Sequence, residues 1–429
     1  MSVRKLVIPI IILSGLGLIS ILAGQPPVLA QDSECIKCHT DLDKLKNITV
    51  MLKPKGSDYG RGIKIEPLPR DQRVWVDPKL LEDENHGWMG CEECHGGDPT
   101  QPDFDGAHIG VKRDPSYPAP GVCDDCHTET EHYAKSLHSS LRGLKTAIYA
   151  RADNDPAVLA EVNKAFAHCA RCHSSCGQCH LSRPVHGGGG LIAGHLFKKK
   201  QPMDQTCRVC HGTVFSEFEG GLASTQPDIH QEGGLGCLDC HEKTQMHGDG
   251  KVYDSRYEVE GGPTCLDCHE EIFGDQGENK KTHDAHKDKV SCQVCHAQQY
   301  LNCASCHLTK DWGEDKYASW ADFKIGLNHR QSEKRPERFV TVRHVPVHPD
   351  LFAPYVDKAL TNFNVLPTWK MATPHNIRRQ TQQNKDCNNC HGNWNVFLMR
   401  RDVEKDLIKA NHSVMVPPAK VPTKIAPSE

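Results

Sequence analysis

The feature that most limits what this chain can fold into is the pattern Cys-x-x-Cys-His, which accounts for all 22 cysteines. Its eleven copies are Cys35, Cys38 and His39; Cys91, Cys94 and His95; Cys123, Cys126 and His127; Cys169, Cys172 and His173; Cys176, Cys179 and His180; Cys207, Cys210 and His211; Cys237, Cys240 and His241; Cys265, Cys268 and His269; Cys292, Cys295 and His296; Cys303, Cys306 and His307; and Cys387, Cys390 and His391. This is the signature for covalent attachment of a c-type haem. The two thiols add to the vinyl groups, and the histidine becomes an axial ligand of the iron. A disulfide framework has no use for a histidine after each second cysteine, and a zinc ribbon does not require one. A thioredoxin-like redox motif would occur once, beside a βαβ pattern. The sequence therefore predicts eleven covalently bound haem c groups and their iron.

Spacing sets the next constraint. Two residues separate His173 from Cys176, too few to hold two porphyrins apart, so the double unit at 169–180 predicts haems packed against each other along an electron path. From His180 to Cys292 the units follow at intervals of 22 to 26 residues, and six residues separate His296 from Cys303. Beyond residue 30 the chain has about 36 residues per haem, far too few for a conventional core around each. With aromatic residues at only 6%, the porphyrins must supply much of the apolar interior. The expected fold is mostly irregular coil with short α-helices and few short strands, organised around a packed chain of eleven c-type haems.

Residues 1–30 read as a signal peptide. Arg4 and Lys5 precede an apolar run from Leu6 to Ala23, and Val28-Leu29-Ala30 offers small residues for cleavage. The run approaches the ~20 residues that span a bilayer, so an uncleaved anchor is the alternative and membrane contact is expected only there. Residues 31–307 form a multihaem region with units one to ten. Residues 308–410 form a haem-poor segment, with the eleventh unit, expected to wrap back over the array. Residues 411–429 read as a Pro-rich flexible tail.

Locally, Ile48–Leu52 and Val74–Val76 resemble short strands, as does Phe339–Val345. Tyr133, Leu137, Leu141, Leu144 and Ile148 share one helical face. Asp155-Pro156 is a helix start that leads toward the double unit.

The formal charge is −4, and becomes −6 without residues 1–30; haem propionates make the loaded protein more acidic still. Nucleic acid is not an expected partner, because phosphate binding needs a basic face.

Sixteen of the 27 histidines lie outside the units. A second histidine on an iron closes it to substrate and leaves single-electron transfer; an open position admits chemistry on small molecules. His168 abuts Cys169, His186 leads into four glycines, His329 sits among charges, His348 follows His344 closely, and His412 lies in the tail. The remaining eleven match the haem count and are the candidate distal ligands: His86, His108, His132, His138, His195, His230, His247, His283, His286, His344 and His375. Three of them, His86, His230 and His286, precede a unit by a few residues. They form a loose repeat of distal histidine, short loop and haem unit.

These residues, with Ser136-Leu137-His138, Gly194-His195-Leu196-Phe197 and the double unit, make residues 35–391 resemble the multihaem c-type cytochromes of anaerobic respiration. The resemblance implies closely packed, largely bis-histidine haems, alternately stacked and T-shaped, conducting electrons outside the cytoplasm. It also implies redox proteins or an extracellular acceptor as partners. Homo-oligomers or filaments are a further option, since some relatives borrow distal histidines from neighbouring subunits. The expected location is periplasmic or cell-surface. The other reading is a multihaem oxidoreductase with one open haem acting on a nitrogen or sulfur oxyanion or a hydroxylamine-type substrate. The Lys that marks the catalytic haem of multihaem nitrite reductases in place of the motif histidine is absent.

Overall fold

A Cys-x-x-Cys-His unit must present three side chains to one flat group, and a single tight turn does this. In the computed structural model, six units lie on one α-turn: Glu34–His39, Cys91–His95, Cys176–His180, Cys207–Cys210, Cys237–Cys240 and Cys292–His296. Three more lie on 3₁₀ turns at Gly121–Asp125, Cys265–Asp267 and Cys387–Asn389. The motif histidine closes the turn through its own backbone: His127, His211, His241, His269 and His391 each donate N–H to the carbonyl of the first cysteine at 2.9 Å. Side-chain caps fix where the turns begin. Ser33 accepts from Cys35 N, Asp386 from Asn388 N, and the Asp267 carboxylate from Thr264 N and Oγ.

The structure describes residues 32–49, 68–118, 121–169, 175–184, 189–200, 202–221, 225–259, 261–302, 323–352 and 360–426. The signal segment, Cys172 and His173 of the fourth unit, Cys303, Cys306 and His307 of the tenth, and His186 lie outside these residues. The chain is mostly coil with short helices. The two longest among the described residues are α1 (Arg142–Arg151) and α2 (Pro156–Cys169). As the Asp155-Pro156 pair predicts, the Asp155 carboxylate accepts from Ala157 N at 2.8 Å and so caps α2.

A small antiparallel sheet follows in the haem-poor segment. β1 (Lys324–Leu327), β2 (Phe339–His344) and β3 (Trp369–Met371) lie in the order β1-β2-β3, with Ile325 opposite Thr341 and His344 opposite Trp369. Val340 and Val342 pack on Trp369, Leu398, Leu407 and Val414, while Ile325 joins Val294, Phe397 and Val416. A third cluster joins Ile148 and Val162 of the two helices to Val347, Phe352 and Leu360. These apolar cores sit beside the haem units and brace them.

Four local expectations are corrected. Ile48 and Thr49 end a helix, Leu42–Thr49, that buries Leu45 and closes with a Thr49 Oγ bond to Leu45 O; the amphipathic turn wins over β propensity. Val74 ends the helix Arg70–Val74, and Trp75-Val76 is extended but unpaired in any sheet, because its polar groups serve His39. Val76 N donates to His39 O, and Val74 O accepts from His39 Nδ1 at 2.9 Å. The helical face over 133–148 is broken at Leu141, whose left-handed backbone (φ 58°) separates the helix Leu137–Ser140 from α1.

The tail from residue 411 is packed. Asn411 is fully buried and accepts from Thr368 N and Trp369 N, and Val414 and Val416 are buried. Beyond Val416 the described tail is mostly exposed, and Thr423 O reaches back to accept from His391 Nδ1 at 3.1 Å.

Candidate haem-binding sites

Each of the nine described motif histidines faces one histidine from outside the units. The pairs are His39 with His108, His95 with His195, His127 with His86, His180 with His247, and His211 with His138. His241 faces His375, His269 faces His230, His296 faces His283, and His391 faces His286. Ring centres lie 5.9 to 6.3 Å apart in all nine. That distance tests whether an iron fits between them. A metal–imidazole bond of about 2.0 Å on each side, plus about 1.1 Å from each nitrogen to its ring centre, gives about 6.2 Å. The gap is one metal wide.

The rings are also held in the orientation a metal needs. Nδ1 of His39, His95, His108, His180, His283, His286, His296 and His391 bonds the carbonyl of Val74, Lys112, Phe104, Lys198, Glu278, Thr282, Arg378 and Thr423, respectively. His241 Nδ1 bonds Gln245 Oε1, and His230 Nδ1 bonds Asp228 Oδ1. An acceptor at Nδ1 fixes the tautomer that leaves the Nε2 lone pair for iron. Burial pushes His195, His211 and His375 down to about 4, so these imidazoles are neutral at pH 7, the form that ligates. Burial pushes the Cys179 and Cys295 thiols up to about 12.

The units stand in a line that follows the sequence. The side chains of Cys35 and Cys91 lie against each other, as do those of Cys123 and Cys176 and those of Cys265 and Cys292. Between those contacts, Cys94 lies within electrostatic reach of Cys123, Cys179 of Cys207, Cys207 of Cys237, Cys240 of Cys268, and Cys295 of Cys390. A cavity of about 4410 Å³ runs past the first eight described units. Small-molecule pockets usually span about 300–1,000 Å³, so this space suits several large flat groups in series.

The third unit differs in what reaches the cavity. Cys123 and His127 line the cavity, as Cys35, Cys38 and His39 do in the first unit, but Cys126 is exposed and does not line it. The turn is not the reason: Cys268 follows the same kind of 3₁₀ turn, with the same 3.3 Å bond to Cys265 O, and lines the cavity. Cys126 still stands within electrostatic reach of Cys94, so it remains beside the line of units.

Nine of the eleven candidate distal histidines thus stand opposite a motif histidine. The other two do not among the described residues. His344 stacks on Trp369 with ring centres 5.0 Å apart, and its N–H donates to Asn302 Oδ1 just before the Cys303 unit. His132 lies against Gly250 and 3.7 Å from Glu131. Their expected partners, His173 beside Cys172 and His307 beside Cys306, lie outside the described residues.

The loose repeat does not pair each histidine with the unit that follows it. His86, His230 and His286 turn away from the units that follow them at Cys91, Cys237 and Cys292, and face His127, His269 and His391 instead. A short loop cannot carry a side chain round to the far face of the porphyrin its own end is attached to. Sequence reading also passed over the acceptors behind the rings. Of these, Asp228-Ile229-His230 was the most visible signal, an Asx turn in which Asp228 also accepts from His230 N.

Residues 229–308 match the family model for cytochrome c3. The matched stretch holds the units at Cys237, Cys265, Cys292 and Cys303. Together with the repeated unit and its geometry, the match marks a multihaem electron-transfer cytochrome that carries covalently bound haem c. No curated protein and no solved structure matches the chain.

Proposed function

We propose that this is an exported cytochrome with eleven haems that conducts single electrons along closely packed, bis-histidine sites in anaerobic respiratory or extracellular electron transfer. The observation that carries the reading is the nine histidine pairs, each one metal wide. Bound haem iron supplies a one-electron couple. The chain's own residues would hold each haem through two cysteine thiols and a facing pair of histidines, and ten of those imidazoles are oriented by an Nδ1 acceptor. With both positions filled, no described unit offers substrate a place on the metal.

His132 and His344 complete the set for the units at Cys169 and Cys303. Residues 1–30 direct export and are then removed, which suits a cofactor attached outside the cytoplasmic membrane. The partners are redox proteins or an extracellular acceptor, met by an acidic surface.

Electron paramagnetic resonance of the oxidised, fully loaded protein tests the proposal. Low-spin signals alone are expected. A stoichiometric high-spin haem would replace it with the open-haem oxidoreductase.

A further inference from the structure

The bonds behind the axial rings are not equivalent. Eight go to neutral backbone carbonyls and one to the Gln245 amide, but His230 Nδ1 donates to the Asp228 carboxylate at 2.8 Å. Asp228 is 2% exposed and cannot swing away: Oδ1 also accepts from His230 N at 2.8 Å, and Oδ2 accepts from Ile377 N at 2.6 Å. The nearby Arg378 guanidinium is already paired to Glu232 at 2.6 Å.

Across the same site, Glu271 Oε1 lies 3.8 Å from Nδ1 of the motif histidine His269, whose side chain is 55% exposed. Cys268 is exposed as well. Negative charge at Nδ1 makes an imidazole a stronger donor, which favours Fe(III) over Fe(II); water at the site favours the more highly charged state too. All three effects have the same sign; Asp83, 3.6 Å from His86 Nδ1 at the His127 site, accepts no hydrogen bond from that ring.

Resting on the bis-histidine reading above, we propose that the haem held between His269 and His230 has the lowest reduction potential of the described line, and that Asp228 is the positioning residue that sets it. The site is seventh of the nine described units, with six before it and two after. Each reduction is Fe(III) plus one electron to Fe(II), and the proton stays shared between His230 and Asp228. Electrons delivered to either side fill the flanking haems first and cross this site uphill. The line therefore works as two reservoirs joined by a step.

Spectroelectrochemical titration of the full holoprotein tests this. Asp228→Asn keeps the size of the side chain and removes its charge. It should raise the most negative step by about tenfold in that haem's reduction equilibrium constant, ~59 mV for one electron; the step of the neighbouring haem between His241 and His375, which the Asp228 charge also reaches, should move the same way by less. Glu271→Gln, at a side chain 70% exposed, should move the same step in the same direction by less. The tuning is overturned if Asp228→Asn shifts another step more than the most negative one, or if neither variant shifts any.

His230→Met separates this from failure of the ligation itself. A His/Met haem has its own charge-transfer band and a raised potential. If that band does not form, His230 is not a ligand and the underlying reading falls. If it forms while Asp228→Asn moves nothing, only the tuning falls.

Discussion

Removing one distal histidine should open one haem and leave the rest of the array closed. His108 is the best position for this because so little else depends on it. It caps the C-terminal end of the short helix Phe104–Ala107, its ring lies on the exposed Phe104 at 4.3 Å, and its Nδ1 bonds Phe104 O at 2.6 Å. Losing that exposed bond costs about 0.5–1.5 kcal/mol, too little to unfold a chain tied together by thioethers. His39 stays fixed from behind by Val74 O. In oxidised His108→Gly one iron should therefore become high-spin, about 9% of the total when all eleven motif units are loaded. Integrated paramagnetic resonance of wild type and variant at equal haem content measures this directly. Added imidazole should enter the vacated space and return the signal to low spin. A variant that stays wholly low-spin, with no imidazole response, would refute the pairing of His108 with His39 and weaken the other eight assignments made on the same distance.

Three further outcomes are expected. Asn411→Ala strips two buried backbone N–H groups, at Thr368 and Trp369, of their acceptor, at about 1–3 kcal/mol each; thermal melting should fall without loss of haem. Arg343→Met strands the Glu217 carboxylate, which is 0% exposed and bonded to the Arg343 guanidinium, at about 3–5 kcal/mol at pH 7. Burial already raises the Glu217 carboxyl above its ordinary 4.5. The folded variant therefore holds a proton that the unfolded chain has released, and its stability should recover as pH falls toward 4.5, so a deficit that ignores pH would contradict this. Deleting residues 421–429 removes Thr423 O from His391 Nδ1 and Pro422 O from Gly392 N; the Cys387 haem alone should shift to higher potential in a redox titration.

The attachment sites were legible because each unit is written in five consecutive residues and folds within one turn. Neighbouring backbone alone decides how Cys265, Cys268 and His269 are presented. The same locality explains the start of α2 at Asp155-Pro156 and the strand over Phe339–His344, where capping and β-branched alternation agree with the final packing. Reading failed elsewhere where a local pattern was overruled from a distance. Trp75-Val76 reads as a strand, yet its neighbourhood is committed to orienting His39, and the Pro-rich tail is pinned by Asn411 to a sheet edge about 40 residues upstream.

Sequence alone determined the cofactor, its attachment points and motif-side ligands, and a supply of spare histidines large enough to close every iron. Tertiary structure decided which histidine meets which. Partners come from 13 residues away, as with His283 and His296, to 134 residues away, as with His241 and His375. Nothing in the sequence ranks those separations, because a distal ligand needs only to arrive about 6 Å from its partner, by whatever route the chain takes. The carboxylate behind His230 belongs to both levels. Asp228 is two residues from its histidine, but its charge acts on a haem attached 37 residues further on only because the fold brings His269 to face that ring.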